Sequence, residues 1–256
     1  MIPKVIHYCW FGGGEIPRKY QDYIDGWQKI CPDYKIVRWD ENNYDIHKNS
    51  YMEQAYVNKK WSFVSDYARF DIIYQQGGIY LDTDVELKKN LDEVLDSSAF
   101  MALEKNESGV SVAAGLGFGA EPKNPVIKDL RDAYENIDFI KENGSLNVVP
   151  IPIYTTNYLQ KRGLIKEDIF QEVAGIKIYP TEYFAPLDFL TGLSNETEKT
   201  IGIHHYSALW QDERSQKHTE IIRTLNRRLG KGLGMKVNWI LRVYWGLSRR
   251  IRERSK

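Results

Sequence analysis

The chain has 256 residues and no net charge, with 35 Lys and Arg against 35 Asp and Glu. Its content of 42% hydrophobic and 27% charged residues suits one sizeable α/β domain, or such a domain with a small appendage. Two cysteines exclude a disulfide framework and a cysteine-based metal centre. No apolar run approaches the roughly 20 residues of a membrane span. Because Met1 leads within two residues into strand-like sequence, with no signal peptide, we expect a cytoplasmic protein.

The beginning of the chain predicts alternating strands and helices. Residues 3–11 are an apolar, strand-like run, and Gly12–Gly14 follow as a conformationally permissive loop. A helix is predicted over residues 17–30, with Pro17 in its first turn, and a second strand over residues 34–39. A buried first strand that ends in a glycine loop is a common start for nucleotide-binding α/β sheets, whose ligands lie beyond the carboxyl ends of the strands.

The most informative stretch begins with a predicted buried helix over residues 62–76. Its apolar face has the i, i+4, i+7, i+11 spacing of a helix and consists of Phe63, Tyr67, Phe70 and Tyr74. Asp66 and Arg69 lie three residues apart on this otherwise apolar helix, where charged groups need partners or a ligand. Gly77 and Gly78 predict its end, because glycine accepts the left-handed conformation.

A short apolar strand, residues 79–81, runs directly into Asp82 and Asp84. If strand geometry persists, the two carboxylates point to the same side and repel each other unless a cation or hydrogen-bond donors neutralise them. A hard divalent cation with oxygen ligands fits this arrangement. An isolated Asp-x-Asp is more often solvated or capping, and an isolated Asp/Arg pair is usually a salt bridge. Their ordered combination in the single stretch 62–86 favours a site.

The second half of the chain carries weaker signals. Residues 113–119 are rich in glycine, which either lets backbone line a ligand pocket or packs as a tight strand. A helix is predicted over residues 124–140, and a late strand at Tyr183–Phe184. Residues 201–210 contain two adjacent histidines after a strand-like run and form the last stretch typical of a site.

The C-terminal stretch 217–256 forms a predicted basic amphipathic helical tail. It contains twelve Lys and Arg against two Asp and Glu, a net charge of +10, so the stretch 1–216 carries −10. Such asymmetry predicts an anionic partner for the tail. The tail either covers the acidic surface of its own domain or lies in the interface of an anionic membrane. We therefore predict two parts, residues 1–216 and 217–256, and no nucleic-acid partner.

Two runs, Ser65–Arg69 and Gly77–Val85, together resemble the signature of glycosyltransferase family 32. These DXD-containing sugar transferases include yeast-type mannosyltransferases and bacterial capsule and lipopolysaccharide enzymes, and their pattern is similar to the catalytic domain of the large clostridial glucosylating toxins. The resemblance implies a GT-A-like α/β fold, a Rossmann-like central sheet with flanking helices. It also implies a nucleotide-sugar donor, a Mn²⁺ or Mg²⁺ ion and retention of anomeric configuration.

The resemblance also implies roles for individual residues. Asp84 would be the main metal ligand, and Asp82 would bridge to the metal or to ribose. Asp66 would bind donor sugar hydroxyls, while Arg69 would neutralise phosphate or sugar oxygens. Trp10 matches the aromatic residue that stacks on the donor base. Two further residues of the motif are assigned to the donor: Tyr80 and Thr83.

The family pattern ends with a His-His-aromatic run that closes with Ser-Trp. By this resemblance His205 would be a metal ligand, and the indole N–H of Trp210 would meet the donor phosphates. The residue before the tryptophan is Leu209, so the family hydroxyl is missing unless Ser207 replaces it.

The expected function is metal-dependent transfer of a hexose, with retention of configuration, to a bacterial surface glycan such as capsule or lipopolysaccharide. The favoured donor is a UDP-sugar. A lipid-linked glycan acceptor would place the protein peripherally on the inner face of the cell membrane. Two alternatives stay open. One is a haloacid-dehalogenase-type phosphatase with Asp82 as nucleophile, although those enzymes open with Asp-x-Asp-Gly-Thr near the N-terminus. The other is a non-catalytic glycan- or membrane-binding protein with the same fold.

Overall fold

The computed structural model describes residues 1–106, 109–189, 191–207 and 213–254. The strands are β1 (Val5–Cys9), β2 (Lys35–Trp39), β3 (Gly78–Tyr80), β4 (Val85–Leu87), β5 (Ala99–Asn106), β6 (Gly109–Val112), β7 (Phe118–Ala120), β8 (Gln171–Val173), β9 (Ile176–Tyr179) and β10 (Gly202–His204). The α-helices are α1 (Arg18–Ile30), α2 (Ser50–Val57), α3 (Trp61–Gln76), α4 (Pro125–Asp132), α5 (Ile151–Gln160), α6 (Thr181–Phe184) and α7 (Glu213–Arg254). Short 3₁₀ turns cover Ile46–Lys48, Leu91–Val94 and Ala133–Asn136.

The centre of the fold is a mixed eight-stranded sheet with the order β2-β1-β3-β7-β5-β9-β8, in which β6 pairs with β5. β1 runs parallel to both β2 and β3, as expected for a nucleotide-binding α/β sheet. β7 is antiparallel to its neighbours β3 and β5. A separate two-stranded ladder joins β4 to β10 in antiparallel register. The mixed α/β architecture predicted from the sequence is confirmed.

Helices cover both faces of the sheet. Successive residues of β1 point to opposite faces: Tyr8 packs edge-on against Trp27 of α1, with ring centroids 5.8 Å apart. Cys9, which is a buried free thiol, belongs to the apolar core shared with α2, α3, α4 and α5. The helix α3 lies inside this core, and its residues Phe63 to Ile73 are buried throughout. Because both faces are covered, ligand access is left to the edges of the sheet.

The glycine pair after α3 ends the helix as the sequence predicts. Gly77 has φ +66° and Gly78 φ +97°, both in the left-handed region. The amide of Gly77 still donates to the carbonyl of Ile73, and β3 begins at the next residue. A Cβ at Gly78 would lie 2.7 Å from the carbonyl oxygen of Val5, so the close approach of β3 to β1 also requires glycine there. After this sharp reversal the chain runs back along α3, so the charged residues of α3 lie near the end of β3.

Two predicted elements differ in the structure. The predicted helix 124–140 ends at Asp132 and continues as a 3₁₀ turn, after which Ile137 is extended and Ile140 forms a bridge to Leu146. The predicted strand at Tyr183–Phe184 is wrong, because these residues belong to the one-turn helix α6. Pro180 precedes that turn, and the amide of Ala185 closes it on the carbonyl of Thr181. Proline before a first helical turn favours this geometry over a strand.

The chain divides into two compact units, Met1–Pro186 with Glu196–Tyr206, and Leu187–Asn195 with the chain from Ser207 onward. In the second unit, α7 is two helices joined at a kink at Gly230, where φ is +74° and ψ +164°. Arg223 of α7 donates from Nε to the carbonyl of Phe189 at 3.1 Å. Among the described residues, no helix combines the length and the apolarity that a bilayer crossing requires.

Candidate active site

Two segments with predicted site residues, those that follow β1 and β3, lie at one edge of the sheet. β1 and β3 are parallel neighbours, with His7 opposite Tyr80, so their carboxyl ends meet at the same edge. Trp10 follows β1 and Asp82 follows β3. Ligands of open α/β sheets bind beyond the carboxyl ends of the strands. The topology therefore puts the DXD segment and the glycine loop after β1 on the side expected for a nucleotide.

Arg69 is the centre of the buried charges. Its guanidinium ion-pairs with Asp66 through Nη2 at 3.3 Å and with Asp82 through Nη1 at 3.3 Å, and its side chain is only 3% exposed. Ser65 fixes the same group, because its carbonyl oxygen accepts from Nε at 3.0 Å and its hydroxyl from Nη2 at 2.9 Å. The guanidinium also lies over the ring of Tyr80, 4.7 Å from the centroid. This geometry positions Arg69 for the carboxylates of both the helix and the DXD turn.

The charges are only partly compensated. Burial raises the pKa of Asp66 to about 7, against the opposing effect of Arg69. Burial also raises the pKa of Asp82, again opposed by Arg69. The two carboxyls share one guanidinium, and the charge of Asp82 adds to the raised pKa of Asp66. A buried carboxyl, Asp66, and a partly buried one, Asp82, share a single cation, so another positive group near them would be stabilised.

The DXD carboxylates converge in a turn and not by strand alternation. β3 ends at Tyr80, and the amide of Val85 donates to the carbonyl of Asp82 at 3.0 Å, which closes a turn before β4 begins. Strand geometry, the condition under which the sequence places both carboxylates on one side, does not persist through Asp84, although the side chains still meet. Ligand atoms of Asp82, Asp84 and His204 lie within 4.8 Å of one another.

His204 reaches this cluster through the register of the β4–β10 ladder. It lies opposite Val85, next to Asp84, and its Nε2 is 3.1 Å from Asp84 Oδ1. Burial lowers the pKa of His204, but the nearby carboxylates, with Asp84 foremost, outweigh that effect and raise it. The other ring nitrogen, Nδ1, is buried without a hydrogen-bond partner among the described residues. An imidazole whose Nε2 lies beside the DXD carboxylates fits a divalent cation.

His205, which the sequence favours as the metal ligand, points elsewhere. Neighbouring residues of an extended chain face opposite sides. The His205 ring stacks on Tyr23 with centroids 4.8 Å apart, and its Nε2 lies 3.0 Å from Glu86 Oε2. The structure thus brings His204, not His205, to Asp82 and Asp84.

The structure describes three of the four residues that the sequence assigns to the donor: Trp10, Tyr80 and Thr83. Trp10 is half-buried, and its indole N–H donates to the carbonyl of Gly14 in the glycine loop at 2.8 Å. Tyr80 is buried, and its hydroxyl donates to Asp82 Oδ1 at 3.1 Å, so it contacts the DXD motif directly. Thr83, which lies between the two aspartates in the sequence, is buried. Trp210 and Leu209 lie outside the described residues.

Three residues near the site were not assigned from the sequence. Ser65 holds Arg69, and its spacing of four residues on the same helix was an available signal. Glu104 of β5 acts electrostatically on both His204 and Asp82, and burial raises its pKa to about 7. Gly115 lies against the carboxylate of Asp82. Glu104 is distant in sequence, and only the sheet brings it here.

Residues 17–101 match the family described as glycosyltransferase sugar-binding region containing DXD motif. This segment contains α3, the glycine pair and the DXD turn, which are the parts assembled around Arg69. This segment therefore carries the DXD-containing sugar-binding region of glycosyltransferases. The family predicted from the sequence is confirmed.

Curated relatives of this chain include viral and fungal proteins. It is 29% identical over 154 residues to an uncharacterised glycosyltransferase of Acanthamoeba polyphaga mimivirus, which covers 58% of this chain and 60% of that protein. It is 30% identical over 137 residues to inositol phosphoceramide mannosyltransferase 1 of Schizosaccharomyces pombe. That match covers 49% of this chain and 40% of that protein. The chain therefore spans about half the length of these relatives. Neither is named as a bacterial capsule enzyme, so these relatives lend no support to the expected bacterial acceptor.

Among solved structures, the chain is similar to the PaToxG glycosyltransferase. The TM-score is 0.50 with 20% sequence identity, and the similarity covers 62% of this chain and 69% of that one. At this identity the likeness concerns the fold. It agrees with the GT-A-like architecture expected from the sequence.

Proposed function

We propose that this protein transfers a hexosyl group from a nucleotide sugar to a glycan or glycolipid acceptor, with retention of anomeric configuration. The observation that carries the proposal is the meeting of Asp82, Asp84 and His204 within 4.8 Å, beside the guanidinium of Arg69. A cluster of two carboxylates and an imidazole can hold Mn²⁺ or Mg²⁺, and the imidazole favours Mn²⁺. Such an ion, when bound, stabilises negative charge on a diphosphate leaving group.

The chain's own residues take complementary roles in this proposal. Asp84 and His204 hold the cation, and Asp82 contributes to it or to the ribose. Arg69 neutralises sugar or phosphate oxygens while it keeps Asp82 in place. Asp66 accepts hydrogen bonds from the donor sugar, and Trp10 stacks on the base. Retention and the donor-binding roles of Thr83 and Trp210 rest on the family resemblance alone.

The phosphatase alternative is less well supported. A nucleophilic aspartate needs a carboxylate oxygen free to attack phosphorus. In Asp82, Oδ1 accepts from the Tyr80 hydroxyl and Oδ2 pairs with Arg69. Each oxygen keeps a further lone pair, so these contacts alone do not exclude attack, but Val85 and Glu86 follow Asp84 where those phosphatases have Gly-Thr. In a non-catalytic protein, nothing would favour keeping Asp66 and Asp82 on one guanidinium, because incompletely compensated carboxylates cost stability.

The test is a donor-turnover screen of the purified protein with UDP-, GDP- and CMP-hexoses, with and without Mn²⁺. The screen begins with UDP-glucose, because the sequence favours a UDP-sugar. It continues with GDP-mannose, because fungal relatives are named mannosyltransferases. We expect turnover with one donor class, lost in excess chelator and reduced at least about 10²-fold by Asp84→Asn. The exposed aspartate change Asp22→Asn serves as control. Normal turnover by Asp84→Asn, or in chelator, would refute the metal assignment.

We further propose that α7 brings the enzyme to an anionic membrane surface that carries its acceptor. Support comes from the +10 charge of residues 217–256 and from three large apolar side chains that α7 exposes, Ile221 (46%), Leu229 (41%) and Leu233 (55%). Two fungal relatives are named for the transfer of mannose to inositol phosphoceramide, a lipid. Each basic residue near an anionic surface contributes on the order of 1 kcal/mol.

Liposome co-sedimentation tests this placement. Binding should need anionic lipid, weaken at high salt because charge is screened, and vanish when residues 231–256 are deleted. Equal binding to neutral and anionic vesicles, or binding to neither, would refute it. A cytoplasmic location remains a prediction.

A further inference from the structure

The glycine-rich run between β6 and β7 lies directly against the DXD turn. The buried turn Ala113–Gly117 is fixed at its start, where the amide of Ala113 donates to the carbonyl of Ala102 at 3.1 Å. In its middle, the carbonyl of Gly115 accepts from the amide of Asp82 at 3.1 Å. The backbone of Asp82 is thereby tied to a segment that lies far along the chain and belongs to another part of the sheet.

Gly115 is required by space and not by backbone conformation. Its φ lies outside the left-handed region, so other residues could adopt this backbone. A Cβ at this position, however, would lie 2.1 Å from Asp82 Oδ2, 3.2 Å from Asp82 Cγ and 3.3 Å from Arg69 Nη1. Real Cβ atoms essentially never come within 3.0 Å of a neighbour. The place of the missing side chain is therefore taken up by the ion pair between Asp82 and Arg69.

We propose that Gly115 is a positioning residue of the transferase site, which rests on the proposed function. Its carbonyl holds the backbone of Asp82, and its missing side chain leaves the space in which the Asp82 carboxylate meets Arg69. Any larger residue turns that carboxylate away from Arg69 and changes its approach to Asp84 and His204. Gly115 acts through Asp82 and its ion pair with Arg69, and it touches no reacting atom.

The contacts of Asp82 indicate what an added methyl group would disturb. The backbone is held by Gly115 itself, and the side chain by Tyr80 on Oδ1 and Arg69 on Oδ2. The atom nearest to the added Cβ is a terminal oxygen, which can move by side-chain rotation without any shift of the sheet. Gly115→Ala should therefore fold, with a modestly lower unfolding midpoint, and lose at least about tenfold in donor turnover.

A double-mutant cycle distinguishes this role from ordinary packing. The four proteins are wild type, Gly115→Ala, Asp82→Ala and the double variant, with Gly26→Ala as the matched control, because nothing lies within 4 Å of a Cβ at Gly26. Donor turnover and urea midpoint are measured for each. If Gly115 acts through Asp82, Gly115→Ala should lower both donor turnover and the urea midpoint in the wild-type background. In the Asp82→Ala background, the same change should alter turnover by less than about twofold and leave the urea midpoint unchanged within error. Gly26→Ala should leave turnover unchanged.

Each outcome decides the question. Equal losses from Gly115→Ala with and without the Asp82 carboxylate would show independent packing and overturn the proposal, as would wild-type turnover in Gly115→Ala. If Asp82→Ala has too little turnover to measure, the urea midpoints alone decide the coupling. If wild type turns over no donor, the proposed function fails, while coupled urea midpoints would still support the placement of Asp82 by Gly115.

Discussion

Replacing Arg69 by methionine tests whether the buried charge cluster serves a ligand or only the fold. Arg69 pairs with Asp66 and Asp82 at 3.3 Å each, and methionine keeps an apolar stem of similar length without the charge. Removing one partner of a buried ion pair costs about 3–5 kcal/mol, because the other charge is left uncompensated. Here the pKa of Asp66 is already raised to about 7 by burial, so this carboxyl can take up a proton near neutral pH. We therefore expect a loss of stability at the lower end, about 3 kcal/mol.

Adding Asp66→Asn to Arg69→Met separates the two explanations. The double variant removes one of the two carboxylates that lost their counter-charge, so part of the stability should return. Asp82 still lacks its partner, and the groups proposed to meet the donor are gone. Donor turnover should therefore remain at least about 10²-fold below wild type, although the free energy of unfolding recovers.

The assays are urea unfolding and donor turnover at one fixed Mn²⁺ concentration. The matched control is Arg131→Met, since Arg131 also pairs with a buried aspartate, Asp71, at 3.4 Å, but on α4 and not in the DXD turn. It should lose stability and keep turnover. Recovery of turnover in the double variant would refute the ligand-facing role and leave a structural salt bridge. An equal loss of turnover in Arg131→Met would mean that turnover only follows stability.

Two further predictions concern histidines. His7 is buried, accepts from Trp39 at Nδ1 (3.0 Å) and so donates from Nε2 to the carbonyl of Gly77 (3.0 Å). Burial lowers its pKa to about 4, so the protein should lose about 3 kcal/mol of stability as pH falls from 6.5 through 4, and none of this above pH 6.5. Urea unfolding at pH 7.5 and 4.5 should show a smaller pH effect in His7→Gln, and an unchanged effect would contradict the assignment. His204→Ala should raise the Mn²⁺ concentration for half-maximal donor turnover by at least about tenfold, whereas His205→Ala should change it little. The reverse result would favour the sequence-based choice of His205.

The helical part of the site could be predicted because its signals are local. The apolar periodicity of residues 62–76 and the glycine pair predict α3, its end and the following strand, all of which the structure contains. The same short segment makes Asp66, Arg69 and Asp82 neighbours in space, because the chain reverses at Gly77 and returns along the helix. Hydrophobic period and turn chemistry act over a few residues, so one sequence is enough to detect them.

The rest of the site depends on strand pairing, which local patterns do not determine. His204 meets Asp84 because β10 pairs with β4 in one particular register, in which His204 lies opposite Val85. A slip of one residue would turn His205 inward and His204 outward, and both residues suit a metal equally well by chemistry. Gly115 likewise meets Asp82 only because Tyr80 of β3 pairs with Phe118 of β7. The sheet thus completes, from distant parts of the chain, a site whose charged centre is formed by α3 and the DXD turn alone, and substitutions at these distant positions should affect turnover through the geometry of Asp82 and Asp84.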